Sequence, residues 1–163
     1  IAIDSSLKWH RSFEPKITKN VENGDMELTA GALIFINDAI SAGISNSEKH
    51  SGLRRPKIHI EIIPMLEDQR LLVQVVTDSK PSNKDFNQKR VDEIQKLITD
   101  GDFHRRSRKE GGSGFIKLAA VVQQSNRGGI EFGFQADGRF HLTVYYSLIV
   151  EPTGQPNETE PAI

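Results

Sequence analysis

The run Lys57-Ile58-His59-Ile60-Glu61-Ile62 alternates polar and apolar residues without a break. Successive side chains of an extended chain point to opposite faces, so this run predicts a strand with one buried and one wet face. Arg70-Leu71-Leu72-Val73-Gln74-Val75-Val76-Thr77 reads as a second, more buried strand beyond the turn Glu67-Asp68-Gln69, and the two are expected to pair as a hairpin. A half-buried sheet needs a covering layer. Residues 26–43 supply one: Met26, Ala30, Leu33, Ala39 and Ile40 recur at helical spacing, with Asp25 as N-cap and Gly43 as the stop. Ile34-Phe35-Ile36 makes this helix apolar on more than one face, so it is expected between layers.

Residues 45–56 are polar and read as a loop. After Asp78 the chain stays polar up to Gly111-Gly112-Ser113-Gly114, apart from one short amphipathic helix over 91–98. The glycine turn opens an apolar helix over 115–124, closed by Gly128-Gly129. Residues 130–135 and 139–150 then form a hairpin about Asp137-Gly138. The division expected is an extended lead-in over 1–25, one domain over 26–150, and a disordered tail over 151–163, where three prolines and three glutamates cannot build a core. The predicted fold class is α+β: a two-layer sandwich, with a mixed, mainly antiparallel sheet covered on one face by helices and a long lid loop.

The 21 basic and 22 acidic side chains of the 163 residues leave no excess charge to drive nucleic-acid binding. The absence of cysteine excludes disulfides and thiolate metal sites. No apolar run reaches the ~20 residues that span a bilayer, and the reading is a cytoplasmic domain without a membrane segment. The opening at Ile1 in place of Met is what a piece of a longer protein would show.

Three constellations carry chemistry. Gly112-Ser113-Gly114 ahead of a helix lets backbone amides approach an anion, with Lys109 and Lys117 beside it. Asp78 ends a buried strand, where a carboxylate can accept from a ligand amino group. Asn37-Asp38 is a polar pair in an apolar helix and can hold Mg²⁺ to substrate phosphates. Each also has a plain structural reading: a tight way into a helix, a strand-to-loop turn, and a helix edge in water.

Their order resembles the GHKL superfamily of gyrase-type, MutL-type and histidine-kinase ATPase domains. Phe35-Ile36-Asn37-Asp38-Ala39-Ile40-Ser41-Ala42 resembles its N box, Val76-Thr77-Asp78-Ser79-Lys80-Pro81-Ser82 its D-x-G-x-G box, and Gly112-Ser113-Gly114-Phe115-Ile116-Lys117-Leu118 its glycine box. The resemblance implies an ATP- and Mg²⁺-binding signalling domain, with Asp78, Lys80, Lys109, Gly112, Ser113, Gly114 and Lys117 at the nucleotide and Asn37 or Asp38 at the metal. It further implies a protein partner as phosphoacceptor or switch target, as in stand-alone GHKL kinases. Two departures bear on activity. Lys80 and Ser82 stand where the D box has glycines, and Ile34 stands where hydrolases of this type carry their Glu base. An apolar side chain takes no proton from water, which leaves Glu27 as the alternative carboxylate. A docking module that keeps the fold without turnover, and the ATPase domain of a larger machine, are the other readings. His50-Ser51-Gly52-Leu53-Arg54-Arg55-Pro56 is only superficially similar to a phosphoacceptor motif, with one residue too many, a glycine, and a place after the N-box helix, so His50 is expected as a solvated loop residue. The basic run at 105–109 reads as a solvated patch or a clamp for a γ-phosphate or an acidic partner.

Overall fold

The computed structural model describes residues 13–101 and 114–148. Lys109, Gly112, Ser113, the basic run at 105–109 and the tail at 151–163 lie outside the described residues. Among the described residues, five strands form one sheet in the order β1-β2-β3-β5-β4, from β1 (Lys16–Val21), β2 (Lys57–Met65), β3 (Arg70–Thr77), β4 (Gly129–Phe134) and β5 (Phe140–Ser147). Only β1 runs parallel to its neighbour, reached through the crossover helix α1 (Ala30–His50). The other three pairings are antiparallel. The expected α+β fold with a mixed, mainly antiparallel sheet is therefore the one observed.

Alternation decides the faces. Ile58, Ile60, Val73 and Val75 point under the helices, and Leu142 and Val144 continue that face on β5. Each such side chain contributes roughly 1.5–3 kcal/mol by leaving water. His59 and Glu61 point the other way, onto a face held together by side-chain hydrogen bonds. Thr18 Oγ1 meets His59 Nδ1 at 2.8 Å and His59 Nε2 meets Glu61 Oε1 at 3.1 Å. Further along, Gln74 Nε2 donates to Thr143 Oγ1 at 2.8 Å.

The helices depart from expectation at their ends. α1 starts at Ala30, capped by Thr29 Oγ1, which accepts from the Ala32 N–H at 3.2 Å, rather than at Asp25. It runs through Gly43 to His50, so residues 45–50 are helix and not loop. Gly43 is no terminator because it is a point of close packing: a Cβ there would stand 2.8 Å from Val75 Cβ and Cγ1. The helix instead ends at Ser51, followed by Gly52 with φ 70°. α2 (Pro81–Thr99) is likewise longer than the helix expected at 91–98; Pro81 pre-sets the backbone of its first turn. α3 (Gly114–Val122) begins at the last glycine of the glycine turn. β1, which pairs through backbone hydrogen bonds while its side chains stay largely exposed, lacks the alternation that would announce a strand.

Gly43→Ala tests this packing. Overpacking against the stiff, buried Val75 costs roughly 1–3 kcal/mol, against roughly 1 kcal/mol gained in helix propensity. We expect a net loss of stability in urea denaturation; an unchanged or more stable variant would show that α1 does not sit so close to β3.

Candidate functional site

α1, α2 and α3 do not close fully over the sheet. Among the described residues, two of the cavities left between them meet where α3 touches α1. At the contact, a Cβ on Gly114 would stand 3.0 Å from Ala42 Cβ, so glycine allows α3 to start against α1. Ala42 and Gly114 line both cavities.

The inner cavity, of about 250 Å³, lies between the C-terminal half of α1, α2 and the sheet. Its floor is aromatic. Phe115 lies 4.8 Å from Phe132 and 6.0 Å from Phe140, and Phe134 meets Phe140 edge-on at 5.3 Å. Beside the floor, Ser47 Oγ and Thr77 Oγ1, both buried, share a 2.7 Å hydrogen bond. The far end is cationic: Lys49, His50 and Arg90 line it, with no carboxylate among the described lining residues. Asn87 Nδ2 donates to the His50 carbonyl at 3.3 Å and ties α2 to the end of α1. Burial, reinforced by the nearby charges of Arg90 and Lys49, holds the His50 imidazole below its ordinary pKa, partly opposed by a hydrogen bond from its ring to Asn87.

The outer cavity, of about 590 Å³, lies between the first half of α1, α3 and Tyr146. Tyr146 stacks on Phe35, with ring centroids 4.6 Å apart. Asp38 and Lys117 give this cavity a carboxylate and an ammonium group, and Ser41 and Tyr146 give it two hydroxyls. Ile34 also lines it, 63% exposed.

The residues singled out from the sequence divide accordingly. Asp38, Gly114 and Lys117 come together on the outer cavity. Asn37 is half-buried and Glu27, ahead of α1, is exposed, and neither lines either cavity. Asp78 stands between two residues of the inner lining, Thr77 and Ser79, without lining the cavity itself. Its N–H donates to the Lys57 carbonyl at 3.0 Å, and its Oδ2 accepts a long 3.4 Å contact from the Lys57 N–H. Lys80 is exposed and caps α2, its N–H bound to the Ser51 carbonyl at 2.9 Å. His50 is a correction: it is the last residue of α1, half-buried and facing the inner cavity, not a solvated loop residue. Sequence reasoning also missed Lys49, Asn87 and Arg90. The signal for the first was Ile40, Ile44 and Ser47, which continue the helical spacing past Gly43.

Comparison with known proteins bears on this arrangement. A family model described as "y4jQ C-terminal putative histidine kinase domain" matches residues 1–148. The uncharacterized protein y4jQ of Sinorhizobium fredii (strain NBRC 101917 / NGR234) is 24% identical over 143 residues, 87% of this chain; the chain spans 13% of that relative's length. Among solved structures, the catalytic domain of the histidine kinase ThkA, in a nucleotide-free form, superposes with a TM-score of 0.58 at 13% identity, over 90% of this chain and 89% of that one. The blue-light activated histidine kinase EL346 of Erythrobacter litoralis gives 0.57 at 12% identity, over 90% and 39%. Acinetobacter baumannii AdeS gives 0.50 at 13%, over 91% and 64%. At such identities the likeness is one of fold, the GHKL-type catalytic fold of histidine kinases. Among the described residues no helix is long and apolar enough to cross a membrane.

The His50 environment has a consequence for stability. Its folded pKa lies below the ordinary value of 6.5, so in that range the folded chain binds fewer protons than the unfolded one. The contribution is present above the unfolded pKa and declines as pH falls toward the folded one. Denaturation midpoints measured from about pH 8 to pH 5 are expected to fall less steeply on the acid side for His50→Gln than for the parent chain. Parallel curves would contradict the buried, cation-flanked setting.

Proposed function

The chain belongs to the y4jQ C-terminal domain family and has the histidine-kinase catalytic fold, and from that premise we propose that it binds ATP with Mg²⁺ across the two cavities. The observation that carries this reading is the seam at Ala42 and Gly114. The start of α3 stands between an aromatic-floored cavity suited to a purine and an outer cavity suited to phosphates. The base belongs over Phe115, Phe132 and Phe140. Asp78 would accept from its amino group, the long Lys57 contact leaving carboxylate lone pairs for that bond. The phosphates belong at Gly114 and Lys117, with Lys80, Lys109, Gly112 and Ser113 as further contacts. Mg²⁺ fits the donors present. Asp38 offers one exposed carboxylate on the outer cavity, and this ion is commonly held by one or two carboxylates together with substrate phosphates and water. Asn37 is the second candidate ligand, and bound Mg²⁺ would neutralise phosphate charge.

The activity proposed is transfer of phosphate to a protein partner, or a nucleotide-driven switch, within a longer signalling protein. Hydrolysis by a side-chain base is disfavoured. Ile34 presents only hydrocarbon to the outer cavity, and Glu27 is not among the residues that line it. The same exposed Ile34 favours a second reading, a docking module that retains the fold without turnover.

Thermal melting with Mg²⁺ and a non-hydrolysable ATP analogue separates the two. At 100 times Kd a ligand adds about 2.7 kcal/mol to stability, a rise of several degrees for a domain of this size. Asp78→Asn and Lys117→Ala are each expected to weaken analogue binding by about tenfold or more, the cost of one hydrogen bond to a charged group. No shift at millimolar analogue would favour the docking module.

A further inference from the structure

The cations of the inner cavity are not used by a nucleotide placed in this way. We propose that the α1–α2 end of that cavity is a subsite for a phosphate-class oxyanion, held by Lys49, His50 and Arg90. Three basic side chains from two helices converge on one cavity wall. They are close enough that Lys49 and Arg90 both oppose a proton on His50. Repulsion among Lys49, Arg90 and a proton on His50 is relieved when negative charge stands nearby. The last-turn carbonyls of α1 supply part of that charge for Lys49 and His50. They do not account for Arg90, which sits in the middle of α2, away from either helix end. No described carboxylate in the lining answers it. The seam at Gly114 meets α1 at Ala42, about two helical turns before Lys49 and His50, so this subsite is distinct from the proposed phosphate position. Asn87 and Ser79, which also line the cavity, add neutral polar groups. An oxyanion accepts from Lys49 and Arg90 and its charge favours a proton on His50, and the guanidinium fork of Arg90 suits paired phosphate oxygens.

The assignment does not depend on the nucleotide reading and can be tested beside it. Isothermal titration with inorganic phosphate is expected to show one site. Arg90→Ala and Lys49→Ala should each weaken it about tenfold, whereas Lys16→Ala, on the far sheet edge, should not change it. Both positions are exposed helix positions where alanine is well tolerated, and circular dichroism checks the fold; Lys49→Gln and Arg90→Gln repeat the test. Titrating the ATP analogue separates the sources of the anion. Competition with phosphate, and loss of analogue affinity in Arg90→Ala, would mean that a nucleotide phosphate fills the subsite. Simultaneous binding would mean a free oxyanion beside the nucleotide. Phosphate binding lost in Arg90→Ala, with no analogue binding by the parent chain, supports the subsite and overturns the nucleotide reading. Absence of phosphate binding, or equal binding by parent and Arg90→Ala, overturns the subsite.

Discussion

Two successive residues of α1 set the geometry on which the rest depends. Gly43 lays the helix directly on Val75 of β3, and Ala42 meets Gly114 at the start of α3. Both contacts are backbone-close and admit almost no side chain. The first fixes the height of α1 above the sheet, and with it the aromatic floor over which a ligand can lie. The second seats the α3 N-terminus between two cavities. A larger residue at any of these positions would lift a helix and merge or close the spaces. Packed interiors relax only in part, so such a shift would reach every lining residue of α1 from Gly31 to His50.

Where backbone period and burial agree, the fold is legible in the residues. The alternation at 57–62 and the apolar run at 70–77 became β2 and β3 in the expected hairpin, and Asp137-Gly138 turns β4 into β5. The disagreements lie where a residue serves a neighbour rather than its own element. Gly43 looks like a helix stop because glycine usually weakens a helix; here the space it vacates is filled by Val75. Residues 45–50 look like loop because they are polar, but several of them face a cavity, and polar residues on an inward face erase the amphipathic signal. β1 is an edge strand with exposed side chains, so nothing in its pattern separates it from a linker.

The candidate site shows the same division. Asp38, Gly114 and Lys117 could be named in advance because the chemistry of a glycine turn and a carboxylate in a helix is local. Lys49, His50, Asn87 and Arg90 could not, because only the packing of α2 across the end of α1 brings them together. Their cluster is a product of tertiary structure: helical spacing can carry α1 on to Lys49 and His50, but not bring Asn87 and Arg90 to them. It adds positive charge to a cavity whose floor is hydrocarbon, a combination that suits a ligand with both an aromatic and an anionic part.

The central claim is that the seam at Ala42 and Gly114 divides a base-binding cavity from a phosphate- and metal-binding one. Paramagnetic broadening tests it most directly, with Mn²⁺ replacing Mg²⁺ in the complex with the ATP analogue. The account predicts that amide signals of Asp38, Gly114 and Lys117 broaden first, while those of β1 at the far sheet edge persist. Broadening that spares Asp38 and Gly114, or that is uniform over the chain, would contradict it.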